Sequence, residues 1–322
     1  MLGPVAAEGL LRPGAPVVVM LSGGRDSVAL LDLAVRIAGT EPVSVLHVNY
    51  GLREGAGTDE RHCEALCARL GVPLEVRRPG PAPGGNFQAW ARAERYGAAA
   101  ELARAAAADV AAGHTATDQV ETILLRLASS PSRRALLGMR DREGGLIRPL
   151  LRFTREQTGA YCTERGLGWR DDESNVSAAY ARGRARAGLV PALRELHPAA
   201  ERNVLTLAEI LRQEAEVLDE LVEEVLEGRT GVELHRLRAL PGALRALVLQ
   251  RLADSAAGRP APGAARRADE VAALGPHAAL DLPHGVRALV RGGVLTLVRR
   301  NAAGGAEGEG TQGTQGARER AP

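Results

Sequence analysis

Residues 17–31 read VVVMLSGGRDSVALL, an apolar run that is interrupted by Ser-Gly-Gly-Arg-Asp-Ser and then resumes. The apolar, mostly β-branched start predicts a buried parallel strand over 17–21, and the apolar spacing after the interruption predicts a helix over 27–37. Between them, Gly23 and Gly24 let backbone N–H groups approach an anion closely, and the helix N-terminus adds partial positive charge. The stretch therefore predicts a phosphate-binding loop between a strand and a helix.

The polar residues of this loop support the same interpretation. Ser22 and Ser27 supply hydroxyl donors, and the Asp26 carboxylate suits a Mg²⁺ ion that bridges phosphate oxygens. The alternative is an ordinary glycine-rich turn, but a helix cap needs only one Asp or Ser, and several polar groups surround these glycines. The chain contains no lysine, so all 41 basic residues are arginine. A P-loop that binds phosphates through a lysine is therefore excluded.

Length and composition indicate an ordinary globular protein. Of the 322 residues 45% are hydrophobic, which is enough for one substantial core and a second, smaller one. No apolar run reaches the roughly 18 residues of a membrane helix, and the first ten residues lack a basic region, so we expect a cytoplasmic protein without membrane contact. Cys63, Cys67 and Cys162 are odd in number and include a C-x3-C spacing, which favours reduced structural cysteines over disulfides or a zinc site.

Strands and helices alternate after the phosphate-binding loop. The patterns predict strands over 43–48, 74–78 and 109–112, and helices over 58–70 and 86–108. This order predicts an α/β fold with an open, mostly parallel sheet and helices on both faces. Ligands bind beyond the carboxyl ends of the strands in such sheets, so the loops that follow the strands are the candidate site.

Two of these loops carry unusual residues, HVNYGLR at 47–53 and GHTATDQVET at 113–122. His114 and Asp118 lie four residues apart across a predicted strand-to-helix junction, close enough to share one ligand. Taken singly, each has an ordinary explanation, because a histidine is often structural and an acid in a first helical turn often compensates the helix dipole. Their position beside the phosphate-binding loop favours a functional role.

The motifs together resemble a known family. SGGRDS resembles the pyrophosphate-binding loop of the PP-loop ATP pyrophosphatases, and a longer series resembles, in order and spacing, the tRNA(Ile)-lysidine synthetases. That series is HVNYGLR, ARAERY, GHTATDQVET, LLGM, IRPLL and DESNVSAAYARGRAR, at residues 47–53, 91–96, 113–122, 136–139, 147–151 and 172–186. The resemblance implies that ATP adenylates C2 of the wobble cytidine in a tRNA(Ile) with anticodon CAU, and that free L-lysine then displaces AMP to give lysidine.

The resemblance also implies roles for individual residues. Pyrophosphate and Mg²⁺ would be held by Ser22, Gly23, Gly24, Arg25, Asp26 and Ser27. His47 would lie near the adenosine, and Arg92, His114 and Asp118 would lie at the reaction centre. We expect Asp118 to bind metal or position the lysine amine and His114 to assist proton transfer. Arg92 suits the charge that develops on the phosphoryl group, although an ordinary solvated arginine explains it equally well.

This chain departs from the family's usual motifs at several positions. Asn49 and Tyr50 stand where the family has Asp-His, and Thr117 replaces the first acid of an Asp-Asp pair. Asp118, the second acid, is retained. We expect Thr117 to cap the following helix while one carboxylate ligand is lost. Gly183 stands where the family often has asparagine.

The charge distribution predicts RNA contact independently of the resemblance. Residues 126–195 contain 14 arginines against 8 acidic residues, an excess that suits a surface along an RNA backbone. An ordinary solvated surface is the alternative, since acids are interleaved. The predicted RNA-binding residues are Arg133, Arg134, Arg182, Arg184 and Arg186.

The rest of the chain predicts a helix, a small domain and a tail. We expect a catalytic domain over 1–198, an acidic amphipathic linker helix over 199–228, a small basic α+β tRNA-binding domain over 229–300 and a disordered tail over 301–322. Within the small domain the patterns predict helices over 240–253 and 264–274 and a hairpin over 285–298 that turns at Gly292-Gly293.

Two other functions were weighed. A tRNA thiolase of the same superfamily would need cysteines at a suitable spacing, which the three cysteines do not offer. A non-catalytic ATP sensor would bind ATP without turnover, and Asp118 beside Asp26 argues against it. The sequence leaves the oligomeric state open, a homodimer included.

Overall fold

The computed structural model describes residues 1–51, 56–130, 133–170 and 181–300. Contacts divide the chain into a first unit of residues 1–212 and a second unit from residue 213 onward. The division falls within one long helix, Ala200–Leu226. The domain limits drawn from the sequence stay predictions, and the predicted tail over 301–322 lies outside the described residues.

The first unit is built on a mixed sheet of six strands in the order β3-β2-β1-β4-β6-β5. The strands are β1 (Val17–Met20), β2 (Val43–Val48), β3 (Leu74–Arg77), β4 (Asp109–Ala111), β5 (Arg142–Glu143) and β6 (Leu146–Ile147). All neighbouring strands run parallel except β5, which is antiparallel to β6. All four residues of β1 are buried, which explains its unbroken apolar sequence.

Helices cover both faces of this sheet. The helices up to the division between the units are α1 (Leu2–Ala7), α2 (Arg25–Ala38), α3 (Ala56–Leu70), α4 (Phe87–Ala105), α5 (Ala116–Ser129), α6 (Arg133–Leu136), α7 (Arg155–Glu164), α8 (Ala181–Arg184) and α9 (Val190–Leu196), with a π-helical turn over Ala185–Leu189, and α10 (Ala200–Leu226) contains the division. Alternate residues of β1 point to opposite cores. Val17 and Val19 pack with α2, α3 and α7, whereas Val18 and Met20 pack with α4. The predicted open α/β sheet with helices on both faces is confirmed.

The predicted elements of this unit are present, with small differences at their ends. The strand predicted over 43–48 is β2 with the same bounds, and the helices predicted over 58–70 and 86–108 are α3 and α4. The helix after the phosphate-binding loop begins at Arg25, two residues earlier than predicted, because Gly24 in an extended conformation serves as its N-cap.

The second unit contains a four-stranded antiparallel sheet of order β7-β10-β9-β8. Its elements are β7 (Gly231–Glu233), α11 (Leu234–Ala239), α12 (Gly242–Ala257), α13 (Ala268–Ala272), β8 (Ala279–Leu282), β9 (Val286–Arg291) and β10 (Val294–Arg299). The predicted hairpin is confirmed, since β9 and β10 pair in antiparallel fashion around Gly292 and Gly293, both at positive φ. The helix predicted over 264–274 is instead a 3₁₀ turn, Ala264–Arg267, followed by α13.

No helix among the described residues is long and apolar enough to cross a membrane. The three cysteines are buried and free. Burial raises the pKa of Cys63 to about 12 and that of Cys67 to about 11. Both thiols therefore stay protonated at neutral pH and are unsuited to act as nucleophiles or metal ligands.

Candidate active site

The loop between β1 and α2 has the geometry of an anion-binding turn. Gly23 has a φ of +84°, a conformation that side chains other than glycine rarely adopt. The Ser22 backbone N–H donates to Ser27 Oγ at 3.1 Å, and the two serine hydroxyls lie 3.0 Å apart. Ser27 Oγ in turn donates to the Gly24 carbonyl at 2.9 Å. These bonds fix the loop, and the glycine N-cap places no side chain over the N-terminus of α2.

The loop after β4 packs directly onto this turn. A Cβ atom added at Gly113 would lie 3.1 Å from the backbone C of Asp26 and the backbone N of Ser27. A side chain at this position would force the backbone of the turn to shift, so glycine suits this close approach. The two predicted functional loops, SGGRDS and GHTATDQVET, therefore meet at the carboxyl edge of the sheet, as expected from the order β1-β4.

Asp26 lies at this meeting point, and its carboxylate is held by α7. Arg155 Nε donates to Asp26 Oδ2 at 3.2 Å, and the Thr158 hydroxyl donates to Asp26 Oδ1. Burial raises the pKa of Asp26 above its usual value, while Thr158 and Arg155 act in the opposite direction. Burial thus disfavours the charged form of this carboxylate, and the Arg155 guanidinium and the Thr158 hydroxyl offset part of that effect.

Asp118 has a structural role in addition to any catalytic one. Its Oδ2 accepts the Thr115 backbone N–H and the Thr115 hydroxyl, both at 2.9 Å, in a capping box at the start of α5. The expectation that Thr117 caps this helix is wrong, because Thr115 is the N-cap. The Thr117 hydroxyl instead accepts the backbone N–H of Arg155 at 3.2 Å.

A second carboxylate that the sequence analysis missed, Glu121, lies one turn further along α5. Glu121 is fully buried and pairs with two arginines of the motif at 172–186, Arg182 and Arg186. Arg182 Nε lies 2.9 Å from Glu121 Oε2, and Arg186 Nε lies 2.6 Å from Glu121 Oε1. Asp118 Oδ1 joins this cluster at 2.8 Å from Arg182 and 3.4 Å from Arg186. We call these four residues the acid–arginine cluster.

The acid–arginine cluster balances two buried acids with two guanidinium groups. Burial acts to raise the pKa of Asp118, but Arg182 and the Thr115 N–H outweigh it and hold that pKa below its usual value. Glu121 was missed because an acid in the first turns of a helix has an ordinary explanation. Its spacing of three residues from Asp118, which places both on one helix face, was the signal available.

His114 is the one site residue with an uncompensated buried atom. Its Nδ1 is buried and has no hydrogen-bond partner among the described residues. Burial lowers the pKa of His114 to about 4, although Asp118 acts to raise it. The imidazole is therefore neutral at pH 7, and Nδ1 is available to a ligand.

His47 and its neighbours form the loop after β2. His47 Nδ1 donates to the Leu21 carbonyl at 2.9 Å, which ties the end of β2 to the start of the phosphate-binding loop. Asn49 Nδ2 donates to Glu60 Oε2 at 2.7 Å, and the Tyr50 hydroxyl donates to the Ala91 carbonyl at 2.6 Å. Asparagine suits this position, since an aspartate would face the Glu60 carboxylate. Residues 52–55, which include the last two residues of the HVNYGLR motif, lie outside the described residues.

Arg92 and Arg25 are two further residues that were predicted for the site, and both lie close to it. Arg92 is exposed on α4, with its guanidinium carbon 4.3 Å from the centre of the Tyr96 ring, and its charge contributes to the low pKa of His114. Arg25 is the first residue of α2, and its Cδ would lie 3.7 Å from a Cβ added at Gly159 of α7. Direct contact of either side chain with ATP stays a prediction.

The five arginines predicted to bind RNA differ in their surroundings. Arg182 and Arg186 belong to the acid–arginine cluster, whereas Arg184 is exposed. Arg133 donates to the Leu211 carbonyl at 3.2 Å, and Arg134 lies next to it in α6. RNA contact by these residues stays a prediction. Residues 171–180, which include the first nine residues of the motif DESNVSAAYARGRAR at 172–186, lie outside the described residues.

The sequence analysis also gave no role to α7, although this helix supplies both partners of Asp26. Thr154 caps α7 in a capping box with Gln157, and the first helical residue is Arg155. The Thr-x-x-Gln pattern at 154–157 was a usable signal for a helix start. No sequence pattern indicated that this helix would lie against the phosphate-binding loop.

Comparisons with known proteins identify relatives of this chain. The PP-loop domain family matches residues 6–193. A tRNA(Ile)-lysidine synthase of Thermus thermophilus is 38% identical to this protein over 92% of this chain. The match spans 59% of the length of that relative. A tRNA(Ile)-lysidine synthase of Gloeobacter violaceus is 40% identical over 79% of this chain and 81% of its own length.

Among solved structures, the U34-tRNA thiolase NcsA of Methanococcus maripaludis aligns with a TM-score of 0.54 and 15% identity, over 66% of this chain and 77% of its own. That likeness concerns the fold alone. The sequence relatives go further, and their identity and coverage confirm the resemblance found in the motifs. The chain belongs to the tRNA(Ile)-lysidine synthase family, and residues 6–193 are its PP-loop domain.

Proposed function

We propose that this protein ligates free L-lysine to C2 of the wobble cytidine of a tRNA(Ile) with anticodon CAU, through an adenylated cytidine. The observation that carries the proposal is the meeting of the SGGRDS loop with the His114–Asp118 loop, in a chain that belongs to this family. In the first step the cytidine O2 attacks the α-phosphorus of ATP and pyrophosphate leaves. In the second, the lysine amine attacks C2, the C–O bond breaks, and AMP leaves while the amine loses a proton.

The chemical reason for two steps is the leaving group. The C2 oxygen of cytidine is amide-like and leaves poorly, whereas AMP leaves readily once that oxygen carries the adenylate. The phosphate-binding loop fits the polyphosphate of ATP, because Gly23 has the required backbone conformation and the N-terminus of α2 carries no side-chain cap. The hydroxyls of Ser22 and Ser27 lie in the same loop, 3.0 Å from each other.

Asp26 and Asp118 are the residues that fit a Mg²⁺ ion. Each carboxylate pairs with an arginine. Arg155 Nε lies 3.2 Å from Asp26 Oδ2, and Arg182 Nη2 lies 2.8 Å from Asp118 Oδ1, so both positions favour a cation. No group of three or more His, Cys, Asp or Glu that could hold a metal occurs among the described residues. This agrees with Mg²⁺, which usually takes one or two carboxylates and completes its shell with phosphate and water. Bound there, the ion would neutralise charge on the phosphates.

The acid–arginine cluster fits the other substrate, lysine. A free amino acid carries an ammonium group that would pair with Glu121, or with Asp118 where that carboxylate does not hold the metal. Its carboxylate would pair with the guanidinium groups of Arg182 and Arg186. All four side chains already pair with one another, so lysine would exchange existing ion pairs for new ones rather than enter a vacant charged site. This exchange limits the desolvation cost of binding.

His114 suits proton transfer from the lysine amine. Its neutral imidazole has an unpartnered Nδ1 next to Asp118, and a neutral nitrogen can accept the proton that the attacking amine loses. The alternative of a thiolase is not favoured, because Cys63 and Cys67 are buried with raised pKa values. We place the reaction in the cytoplasm, with ATP, Mg²⁺ and tRNA as partners.

The test is incorporation of labelled lysine into a tRNA(Ile) transcript with anticodon CAU, in the presence of ATP and Mg²⁺. A matched transcript with uridine at the wobble position is the control. Lysine incorporation and AMP release with the first transcript alone are expected. AMP release without lysine incorporation would point to another nucleophile, and absence of AMP would favour an ATP sensor.

A further inference from the structure

Arg155 contacts the carboxylate that the proposed reaction assigns to Mg²⁺. Its Nε lies 3.2 Å from Asp26 Oδ2, and its side chain is 27% exposed against 13% for Asp26. The guanidinium therefore pairs with one oxygen of the carboxylate, while part of the Arg155 side chain remains exposed to solvent. An arginine so placed must either block the metal or yield to it.

The backbone of Arg155 is fixed, so its position is not accidental. The Arg155 N–H donates to Thr117 Oγ1 at 3.2 Å, and the Phe153 carbonyl accepts the Ala116 N–H at 2.8 Å. These bonds join the start of α7 to the start of α5. On its other side α7 is joined to α2, where Cys162 Sγ lies 3.5 Å from the Arg25 carbonyl. The backbone of Arg155 is thus held where the β1 and β4 loops meet.

The second partner of Asp26 shows what can change when ligand binds. Thr158 is fully buried and donates to the other carboxylate oxygen, Oδ1, and this contact can persist because the hydroxyl is uncharged. Arg155 is partly exposed and long, so its guanidinium can turn away from Oδ2 without movement of the helix. A polyphosphate in the SGGRDS loop is the nearest stronger anion, and guanidinium binds phosphate through two parallel hydrogen bonds.

We propose that Arg155 is an internal counter-ion, which neutralises Asp26 in the absence of nucleotide and transfers to the phosphates of ATP when Mg²⁺ takes the carboxylate. This inference rests on the proposed function, because it assumes that the loop binds ATP with Mg²⁺. It makes Arg155 a phosphate-contacting residue in the nucleotide complex. It also means that the metal enters with the nucleotide, since Asp26 already has a cationic partner in Arg155.

One substitution should therefore move two affinities in opposite directions. In the full-length Arg155→Met variant, Mn²⁺ without nucleotide should bind more tightly, because its competitor for Asp26 is gone. ATP with Mg²⁺ should bind about tenfold more weakly or worse, because a charge-assisted hydrogen bond to phosphate is lost. Mn²⁺ binding is measured by electron paramagnetic resonance and ATP binding by calorimetry.

Arg152→Met is the matched control. It makes the same charge change three residues away, at a side chain that is 74% exposed and lies 3.5 Å from Glu8. Both affinities should stay at the wild-type value in this variant. Arg155→Lys keeps the charge without the planar fork, so both affinities should lie between those of the wild type and Arg155→Met.

A merely structural role for Arg155 predicts a different pattern, in which both affinities fall together. That outcome would overturn the proposal, as would Mn²⁺ binding that does not change. If Arg155→Met fails to fold, Arg155→Lys and Arg155→Gln supply the same two measurements. In the double variant Asp26→Asn with Arg155→Met, the gain in Mn²⁺ affinity should disappear. None of these measurements needs tRNA or lysine, so failure of the proposed ligation in the wild type would be seen separately.

Discussion

Helices α2 and α7 meet at two carboxylates, a partly buried one and a fully buried one, that have similar partners and different surroundings. At one end Asp26 accepts from Thr158 and Arg155, and at the other end Asp32 accepts from the hydroxyl of Tyr161 and from Arg165 at 3.3 Å. Each acid thus receives one hydroxyl from α7 and one guanidinium, from Arg155 at the start of α7 or from Arg165 directly after its end. Asp32 is 1% exposed and lies in the interior of α2, whereas Asp26 lies in its first turn beside the glycines of the phosphate-binding loop.

The difference shows how one packing arrangement can serve two purposes. At Asp32 the acid stays enclosed, and its contacts hold the two helices in register. Burial and the bond to Asp32 raise the pKa of Tyr161 to about 12, so its hydroxyl remains a donor over the physiological range. At Asp26 the same type of contact faces the loop, where an incoming cation can replace the arginine. The helix pair is rigid at one end and exchangeable at the other.

The largest effect is expected from Asp26→Ala. AMP release should fall by about a thousandfold or more, because the charge stabilisation that the carboxylate and its metal supply is worth several kcal/mol. The variant should stay folded, since the alanine removes a carboxylate whose burial is itself costly. AMP release is measured with ATP, lysine and the CAU transcript. Retained turnover would show that this end of α2 does not serve the reaction.

Asp32→Ala should instead lower stability. The hydroxyl of Tyr161 loses its acceptor in a buried contact, while Arg165 can turn to solvent, so the free energy of unfolding should fall by about 1–3 kcal/mol. Urea unfolding followed by circular dichroism measures this change. AMP release per folded molecule should be close to that of the wild type. A thousandfold loss of activity with normal stability would erase the distinction between the two acids.

His114 contrasts with both acids, because it is a buried titratable group whose Nδ1 has no hydrogen-bond partner among the described residues. The pKa of His114 is about 4 in the folded state, against about 6.5 in an unfolded chain. The unfolded state therefore binds a proton that the folded state excludes, and the stability of the folded protein falls as the pH drops from about 6.5 towards 4. His114→Gln should make this dependence less steep. Identical slopes for the two proteins would mean that His114 titrates normally.

The smallest effect is expected from Arg184→Ala. Arg184 is exposed, and loss of one phosphate contact should reduce the salt dependence of tRNA binding by ~0.7–0.9 logarithmic units of slope. Arg182→Ala should change the apparent affinity for lysine as well, because Arg182 pairs with Asp118 and Glu121. tRNA binding is measured by filter retention at several salt concentrations. Equal effects of both variants on lysine affinity would contradict the division between cluster and surface.

Much of the architecture follows from local patterns. The strand over 43–48, the helix after SGGRDS and the hairpin around Gly292 are set by apolar periodicity and glycine placement, which act over a few residues. The cap of α5 was predicted at Thr117 and is Thr115, because both are threonines at the same junction and only the backbone path selects between them. Three members of the acid–arginine cluster, Asp118, Arg182 and Arg186, were predicted as site residues from the sequence. Glu121 stands in the same GHTATDQVET motif as Asp118 but was given no role.

The sequence alone determined the glycine-rich turn between β1 and α2, the α/β sheet and the family, because these depend on residue types at short and regular spacings. Only the tertiary structure decided which cations meet which carboxylates. Arg155 lies 129 positions from Asp26, and Arg182 lies 61 positions from Glu121. Ion pairs form between groups that the fold brings within a few ångströms, and no local propensity encodes such a pairing. The roles of Arg155 and Glu121 therefore became visible only once α7 and α8 were placed against the site.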